Sequence, residues 1–567
     1  MGLRTIMGAA ILLNFSLLAS AQVSLTPPLK GALNLSGAFG EVRTDHLHTG
    51  IDYRTGGKIG LKVYSVDKGY ISRIKFSPNG YGKAVYINHP NGTTSVYAHL
   101  DMLAEPFASY VKDLQYGKQS FAFDVELKPR ELPVVKGQLI AWSGNSGSSG
   151  GPHLHFEVRN TKTQHALNPN FWGFPVTDNL APQVKTVAFY RADSTTIING
   201  LAKSVVLDVS GADKKNALDT VRVSGTVGFG LEAYDWLTPQ STRTGIYSAL
   251  YTLNSDTLFY FKADSLSFGQ GRYVNSLTDY GLRQQTGKRI IKLFIEPNNK
   301  LMGYYASPKT QRGFLRVSPD SIYNIKLIAA DAAGLYSSID IVVKGEKQPQ
   351  GPAIAAAIPT EHAFIAYNQG FSIVTDSLTI TIPRDAFYTN VFFRYALAEG
   401  AGRGLSPIYS IGNPNIPLHT SYTLGIRVRS DEKAAESKTC IAKVEKDGKL
   451  KFMGGAYKDG YVKASLRTFG NYTIAIDTIP PVIVPLKRQV NGTVKIRYRV
   501  YDNFSDIANV NGYIDGSWAL FEYDPKNELI FYVVDQERIN SSKEHSIRIV
   551  AEDGLGNIST HESTFSF

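Results

Sequence analysis

Short runs of alternating apolar and polar residues, separated by clusters of glycine, asparagine, aspartate and proline, recur along most of the chain. Alternation places the apolar side chains on one face of an extended strand, and the intervening clusters favour turns. Valine, isoleucine, threonine, tyrosine and phenylalanine, which favour strands, recur in these runs. The pattern therefore predicts a mainly β protein. One helix is expected in EPFASYVKDLQYG, within the long connection between Leu100 and Val134.

The length of the chain requires several domains. At 567 residues it is too long for one hydrophobic core, and about three to five domains are expected. Seven of the 11 histidines lie between His46 and His165, so the chemistry should be sought in a first segment, residues 22–177. The character of the sequence changes at Asp178, where strand-rich modules begin.

Three patterns occur twice in the same order: DNLAPQV and DTIPPVI, VGFGLEAYD and VKIRYRVYD, and YNIKLIAADAAG and HSIRIVAEDGLG. In each pair a strand-like run leads into, or starts from, an aspartate and a turn. The repetition predicts two related Ig-like β-sandwich modules at residues 178–345 and 477–567. The first would carry insertions, largely between Leu250 and Gln311. Residues 346–476, which include the linker-like stretch EKQPQGPAIAAA, are expected to form a β-rich domain of unknown fold.

The first 21 residues have the pattern of a signal peptide. Arg4 supplies a positive start, an apolar stretch follows, and Ala19, Ser20 and Ala21 form a cleavage site of the A-x-A type. A retained membrane anchor is the alternative, but the apolar run is short for a span and Asn14 interrupts it. No later segment has the ~20 apolar residues that a transmembrane helix needs. The sequence therefore predicts an exported protein, in the periplasm, on the cell surface or secreted.

Cysteine content and net charge indicate how the domains are stabilised and which partners suit the protein. Cys440 is the only cysteine, so no intramolecular disulfide is available, and its place in the strand-like KTCIAKV favours buried packing. The net charge of +11 is spread along the chain without a dense basic tract. This distribution suits an anionic envelope and argues against nucleic acid as a partner.

The tripeptide HLH occurs twice, at residues 46–48 and 153–155. On a strand, His153 and His155 would face one space together. A catalytic zinc ion takes three protein ligands and keeps one position open, and without a usable cysteine those ligands must be histidines and carboxylates. His48 and Asp52 in HTGID, with Gly50 between them, and His155 are the candidate ligands. His153 would then project beside the ion, and His99 ends another alternating strand, VYAHL.

These motifs resemble, in order over roughly residues 40–170, the lysostaphin/LytM-type zinc metalloendopeptidases that cut peptidoglycan cross-links. The stretches that carry the resemblance are HTGID, NHPNGTTSVYAHLD, VVKGQLIAWSGNSGSSGGPHLHFEVRN and NP. The resemblance implies an antiparallel β-sheet peptidase domain of the LytM type (duplicated hybrid motif) at residues 22–177. It implies peptidoglycan peptide stems as the substrate and zinc (Zn²⁺) as the cofactor. It also implies roles for five residues: His48, Asp52 and His155 as metal ligands, and His99 and His153 as catalytic histidines.

Peptide hydrolysis requires proton transfer and stabilisation of an oxyanion, and two histidines that do not bind metal could provide these two functions. One neutral imidazole can take a proton from the attacking water and pass it to the leaving amine. The other can donate to the developing oxyanion, and the sequence does not decide which histidine does which. His46 is expected at the rim of the site or behind the ligands, and His89 beneath a turn.

Two alternative functions stay open at this stage. The protein could be a non-catalytic envelope scaffold or regulator of another cell-wall hydrolase, although the complete ligand set counts against this. It could also be a zinc protease of exported proteins. The C-terminal β modules could bind an envelope protein or glycan, or space the enzyme from a surface. The segment Leu100–Val134, if it overhangs the groove, would restrict the substrate.

Overall fold

The computed structural model describes most of the chain, and strands dominate it. The described residues are 25–31, 34–174, 176–210, 220–239, 241–301, 303–308, 311–348, 362–398, 405–428, 437–491, 493–539 and 543–567. The prediction of a mainly β protein is confirmed. The predicted signal peptide, residues 1–21, lies outside the described residues. Among the described residues, no helix combines the length and apolar character that a membrane crossing requires.

The first domain is built from antiparallel strands in two sheets. Its strands are β1 (Leu35–Gly37), β2 (Ile51–Arg54), β3 (Lys62–Tyr64), β4 (Gly69–Phe76), β5 (Lys83–Asn88), β6 (Thr93–Ala98), β7 (Leu100–Leu103), β8 (Phe123–Glu126), β9 (Pro133–Val134), β10 (Leu139–Ser143), β11 (His153–Asn160) and β12 (Ala166–Leu167). The larger sheet has the order β1-β2-β11-β6-β5-β4-β8, and the smaller one β3-β10-β7. Strand β11 therefore lies between β2 and β6.

Strand β11 shows why the sequence folds in this way. Leu154, Phe156 and Val158 alternate along it and are fully buried in the core. The residues that alternate with them point to the opposite face; these are His153, His155, Glu157 and Arg159. Because pairing register sets which residues oppose each other, it also decides what gathers on that face.

The predicted helix is present as α1 (Phe107–Lys118). Phe107, Val111 and Gln115, spaced four residues apart, form its buried side. Lys118 lies in the last turn, where a positive charge suits the negative end of the helix dipole. The helix ends at Gln119, which has a left-handed conformation with φ of 48°.

The second module follows directly and extends the sheet system of the first domain. Its strands are β13 (Gln183–Arg191), β14 (Ile197–Ile198), β15 (Val205–Asp208), β16 (Val221–Tyr234), β17 (Ser248–Leu253), β18 (Asp256–Lys262), β19 (Ser265–Leu266), β20 (Ile291–Lys292), β21 (Tyr305–Pro308), β22 (Leu315–Val317), β23 (Ile322–Ala330) and β24 (Tyr336–Gly345). Two short helices, α2 (Val274–Leu277) and α3 (Tyr280–Thr286), lie in the stretch predicted to hold insertions. Strand β19 pairs with β12, and one apolar cluster runs through both regions.

The remaining two regions each enclose a core of their own between two sheets. The third region contains β25 (Ala363–Ile365), β26 (Phe371–Val374), β27 (Leu378–Ile382), β28 (Val391–Phe393), β29 (Tyr395–Leu397), β30 (Tyr409–Ile411), β31 (Tyr422–Arg427), β32 (Thr439–Val444), β33 (Leu450–Phe452), β34 (Ala456–Lys458), β35 (Tyr461–Leu466) and β36 (Gly470–Ile476). The last module contains β37 (Val482–Asn491), β38 (Thr493–Tyr501), β39 (Ile507–Ile514), β40 (Ser517–Ala519), β41 (Glu522–Asp524), β42 (Leu529–Val533), β43 (His545–Asp553) and β44 (Ile558–Phe565). Its two four-stranded sheets are β37-β38-β42-β41 and β40-β39-β43-β44. Cys440, on β32, is buried as predicted. The exact domain boundaries stay predictions.

The last module packs against the first domain, so distant parts of the chain meet. The rings of Tyr116 on α1 and Trp518 on β40 lie 5.4 Å apart, edge to face. The guanidinium of Arg538 covers Tyr116 at 3.7 Å from the ring centre. Lys112 and Asp535 form an ion pair with an N–O distance of 2.6 Å. The segment Leu100–Val134, which contains α1, is thus held by the last module.

Replacing Phe156 by alanine should weaken the sheet that carries the site. Large-to-small changes of buried phenylalanines cost about 3–5 kcal/mol, because they remove apolar contacts and leave a cavity. The free energy of opening, measured by native-state hydrogen exchange at the amides of β2, β6 and β11, should fall by that amount. Phe171→Ala is the control, since this side chain is 44% exposed and should matter little. Equal losses in both variants would contradict this description of the core.

Candidate metal centre

Three side chains predicted as metal ligands converge on one point. The distance from His48 Nε2 to His155 Nδ1 is 3.0 Å, and from His48 Nε2 to Asp52 Oδ1 3.1 Å. His155 Nδ1 and Asp52 Oδ1 are 2.9 Å apart. All three residues are buried. The structure thus brings together two imidazole nitrogens and one carboxylate oxygen, a group that could hold a metal ion.

Strand pairing creates this convergence. On β11, His155 is directly opposite Asp52 of β2 on one side and Ala98 of β6 on the other. His48 arrives from the segment that precedes β2. Gly50, between His48 and Asp52, packs so closely on β11 that a Cβ atom there would lie 2.4 Å from the carbonyl oxygen of Phe156. A glycine is required at this position because the two backbones approach so closely.

The outward nitrogens of both ligand histidines have partners that fix their tautomers. His48 Nδ1 donates to the carbonyl oxygen of Ala38 at 2.8 Å, which leaves the Nε2 lone pair facing the cluster. His155 Nε2 donates to Glu157 Oε1 at 2.9 Å, which leaves the Nδ1 lone pair facing the cluster. Carboxylates and carbonyls behind metal-binding histidines orient the rings in this way. The donor set, two nitrogens and one carboxylate, fits zinc.

Glu157 is the centre of a buried network behind His155. It is completely buried and pairs with Arg159, Nε to Oε2, at 2.6 Å. Its Oε1 also accepts hydrogen bonds from Thr49 and Tyr81. Burial by itself would raise the pKa of Glu157, but Arg159 and His155 hold that pKa far below its ordinary value. Glu157 is therefore an anion that stabilises the orientation of His155.

Asp52 also has a partner of its own. Arg43 Nη2 donates to Asp52 Oδ2 at 3.0 Å, so the second carboxylate oxygen is held away from the cluster. Burial opposes ionisation, but His48 and His155 lower the pKa of Asp52 well below its ordinary value. The carboxylate is consequently charged and available as a ligand.

His99 and His153, the two predicted catalytic histidines, lie side by side next to this cluster. Their ring centres are 4.8 Å apart, and His153 Nε2 lies 3.5 Å from Asp52 Oδ1. His99 Nδ1 donates to the carbonyl oxygen of Ser146 at 2.9 Å, and His153 Nδ1 to that of Gly151 at 2.8 Å. Both Nε2 atoms are therefore acceptors in the neutral rings.

Both of these imidazoles are neutral at neutral pH. Burial, together with the neighbouring imidazoles of His155 and His153, lowers the pKa of His99 to about 3. Burial also lowers the pKa of His153, although the charge of Asp52 opposes this shift. Two neutral nitrogen bases next to a metal-binding triad can accept protons from water, which is the chemistry of hydrolysis.

The family comparison agrees with this geometry. Residues 46–117, which contain His48, Asp52 and His99, match the model described as peptidase family M23. The first domain is an M23 peptidase domain. Residues 362–477 match the model of the Zu5-like domain, which gives a name to the third region.

Two curated relatives match about a fifth of this chain. The DD-carboxypeptidase/endopeptidase Mpg of Neisseria meningitidis serogroup B (strain ATCC BAA-335 / MC58) is 34% identical over 118 residues, 21% of this chain and 21% of that protein. An uncharacterized metalloprotease of Haemophilus influenzae is 30% identical over 122 residues, 22% of this chain and 20% of that protein. The chain thus matches about a fifth of the length of these curated relatives.

Solved structures align with the same region. A variant of the catalytic domain of the prophage-encoded M23 protein EnpA from Enterococcus faecalis is 21% identical, with a TM-score of 0.20; the match covers 26% of this chain and 98% of that one. The catalytic domain of lysostaphin from Staphylococcus simulans is 23% identical, with a TM-score of 0.19; the match covers 24% of this chain and 89% of that one.

The other histidines of the M23 domain lie outside the ligand cluster. His46 is not on a strand; its Nδ1 faces Asp45 at 2.8 Å, and the residue lines the rim of a cavity of about 270 Å³ beside His48 and His155. Phe268 of the second module lines the same cavity. His89 packs beneath a turn, as predicted, bonded to Lys68 and Ser95.

Sequence reasoning missed the residues that support the ligands. Glu157 and Arg159 continue the alternation of HLHFEVR, so the same i, i+2 spacing that groups His153 with His155 could have revealed them. No comparable signal marks Arg43 or Tyr81, which reach the site from a loop before β2 and a turn before β5.

The last module also contacts the site. Its Lys526 binds the glycine-serine loop of the first domain, residues 143–151. Lys526 Nζ donates to the carbonyl oxygens of Asn145 and Gly147, the latter at 3.1 Å. Ser146 lies between these two residues and accepts the hydrogen bond from His99. Beside the loop, Lys83 Nζ pairs with Glu522 Oε2 of the last module at 2.7 Å. Lys526 therefore holds the loop segment that orients His99.

Replacing Glu157 by glutamine should weaken zinc binding. The neutral amide orients the His155 ring less strongly, and loss of such a partner typically costs 10–100-fold in metal affinity. Competition with a chromophoric chelator measures this change. Glu126→Gln removes an exposed carboxylate from the same domain and should leave the affinity unchanged. Unaltered affinity in Glu157→Gln would contradict the role given to this residue.

Replacing Lys526 by methionine should loosen the glycine-serine loop. The apolar stem remains, but the two carbonyl oxygens lose their donor, so amide exchange at residues 144–151 should become faster. Lys487→Met, an exposed change in the same module, is the matched control. Identical exchange in the two variants would show that the contact does not hold the loop.

Proposed function

We propose that this protein is an exported zinc metalloendopeptidase that hydrolyses peptide cross-links of peptidoglycan. The observation that carries the proposal is the convergence of His48, Asp52 and His155 beside two neutral imidazoles. The similarity to the Neisseria relative, which is named a DD-carboxypeptidase/endopeptidase, supports the reaction class. Export rests on the signal-like pattern of residues 1–21.

His48 Nε2, Asp52 Oδ1 and His155 Nδ1 would hold the zinc ion. When bound by three protein ligands, zinc polarises a carbonyl group and lowers the pKa of a coordinated water to about 7. The remaining chemistry falls to side chains of this chain, chiefly His99 and His153.

His153 is the better proton acceptor of the pair. Its Nε2 carries the lone pair, and Asp52 at 3.5 Å stabilises the imidazolium that forms when it takes a proton from the attacking water. The protonated ring can then donate that proton to the leaving amine. The backbone carbonyl of Gly151 holds the ring during both transfers.

His99 has a different task. Its Nδ1–H is committed to Ser146, so the neutral ring accepts at Nε2 and cannot donate to an oxyanion. The very low pKa that burial gives this ring keeps it neutral. His99 is thus suited to orienting the attacking water or a substrate N–H group, rather than to the donor role considered from sequence.

The glycine-serine loop forms one side of the site. Its small side chains leave room for an extended peptide, and its backbone carbonyls at Ser146 and Gly151 hold His99 and His153. Peptidoglycan stems are short peptides attached to glycan, so a groove with low side-chain bulk suits them.

Replacing His99 by asparagine should abolish most hydrolysis without loss of the fold. Asparagine is chosen because His99 has φ of 57°, a left-handed conformation that alanine tolerates poorly. The rate of muropeptide release from purified peptidoglycan, followed by mass spectrometry, should fall by about 10²-fold, because the water or substrate is no longer oriented. Zinc content should be unchanged.

His165→Ala is the matched control because this histidine is exposed and outside the site, and its digest should equal that of the wild type. His48→Ala should lose both zinc and activity. Identical digests from the wild type and His99→Asn would refute hydrolysis by this site and favour a scaffold. Cleavage of casein but not of peptidoglycan would instead indicate a protease of exported proteins.

A further inference from the structure

Two groups of three aspartates lie outside the M23 site, one in each of the two related modules. Asp178, Asp235 and Asp331 form the first triad, and their nearest carboxylate oxygens all lie within 4.8 Å of one another. A second triad with the same spacing is formed by Asp477, Asp502 and Asp553.

The triads are made from the three sequence patterns that occur twice. Asp178 and Asp477 begin the DNLAPQV and DTIPPVI stretches, which lead into the first strand of each module. Asp235 and Asp502 follow β16 and β38. Asp331 follows β23, and Asp553 is the last residue of β43. Equivalent positions thus converge in both copies.

Unpaired carboxylate oxygens are buried in the first triad. Asp235 and Asp331 are each only 3% exposed. The Oδ1 atoms of Asp178 and Asp235 and the Oδ2 atom of Asp331 are shielded from solvent and have no hydrogen-bond partner. Asp331 Oδ1, in contrast, accepts from the backbone N–H of Leu335 at 2.9 Å. A buried carboxylate oxygen without a partner is costly, so a ligand is expected there.

In the second triad two members repeat this arrangement, whereas both oxygens of Asp553 accept hydrogen bonds from Leu555 and Asn557. Asp477 is 3% exposed, and its Oδ2 atom is buried without a partner, as is Oδ2 of Asp502. The Oδ1 atoms of both residues accept backbone N–H groups, from Ile479 at 3.1 Å and Phe504 at 2.8 Å. In both modules, then, backbone amides fix the carboxylates while other oxygens remain unpaired.

Neither triad is neutralised by a side chain in the described part of the protein. No ion pair with lysine, arginine or histidine involves any of the six aspartates there. Lys438, near the second triad, donates to the carbonyl oxygen of Leu555 at 2.8 Å. The mutual repulsion of the three carboxylates indicates that a positive charge is missing.

We propose that each triad binds one calcium ion. All donors are carboxylate oxygens, which suit hard cations such as Ca²⁺ and do not suit zinc. Ca²⁺ takes six to eight oxygens in an adaptable geometry, whereas Mg²⁺ requires a near-ideal octahedron. Three carboxylates that converge from a connecting segment and two strand ends suit the adaptable geometry of Ca²⁺ better than the octahedron of Mg²⁺.

The sites would tie each module to the region before it. Asp477 directly follows the last strand of the Zu5-like region, and Asp178 lies in the segment between the M23 domain and β13. A cation held by these residues and by two strand ends links the connecting segment to the module. Calcium would therefore restrict the angle between consecutive regions, independently of the peptidase activity.

Terbium luminescence and thermal unfolding of the zinc-loaded full chain test the proposal. Tb³⁺ takes the same oxygen ligands as Ca²⁺, and Trp236, next to Asp235, can sensitise its emission. Wild type should bind two Ca²⁺ ions with dissociation constants of about 10⁻⁴–10⁻³ M, as in other extracellular modules, and Ca²⁺ should displace Tb³⁺ and raise the unfolding temperature.

Asp235→Asn and Asp502→Asn should each retain a single site, and the double variant should retain none. These changes keep side-chain volume and reduce repulsion, so the variants should fold; Asp331→Asn replaces Asp235→Asn if the latter does not. Asp340→Asn, an exposed change in the same module as Asp235, is the control and should keep both sites. The proposal is overturned if wild type shows no response to 10 mM Ca²⁺, about ten times the weakest affinity expected, or if the double variant still responds.

Discussion

The position of β11 between β2 and β6 is the constraint on which the M23 site depends. Antiparallel pairing puts His155 opposite Asp52 on one side and opposite Ala98, the neighbour of His99, on the other. A shift of one residue in either register would turn the histidines into the core and the apolar residues out of it, at the cost of exposing Leu154, Phe156 and Val158, which are now buried. The hydrophobic alternation of β11 therefore also determines which of its side chains face the site.

Much of this site follows from local sequence, and some of it does not. Strand alternation and spacing group His48, Asp52 and His155 as candidate ligands and put His153 beside them, whereas the family resemblance is what assigns His99 and His153 as catalytic histidines. The tautomers were not predictable, because they depend on the carbonyl oxygens of Ala38, Ser146 and Gly151, which only the folded chain brings into reach. The contacts of Arg43 and Lys526 were not predictable either, because tertiary packing, and not sequence spacing, brings these residues to the site.

For the two related modules, too, the sequence repeats predict some features of the structure and not others. Three repeated patterns predict two related units, because a strand-like alternation that leads into an aspartate stays recognisable when insertions separate the patterns. The same patterns gave no sign that their aspartates meet, since residues 178, 235 and 331 are separated by whole strands. Nor did they indicate that the second module supplies Phe268 to a cavity beside His48. Contacts of this range are fixed by tertiary packing alone.

The contact of Lys526 with the glycine-serine loop joins residues that are about 380 positions apart in the chain. A polypeptide emerging from a ribosome or a translocation channel delivers the M23 domain first and the last module last. The loop that orients His99 can receive its lysine only when Lys526 has been delivered and the last module has folded. Completion of the imidazole pair is thereby coupled to folding of the last module, so the proposed hydrolysis depends on that module as well as on the M23 domain.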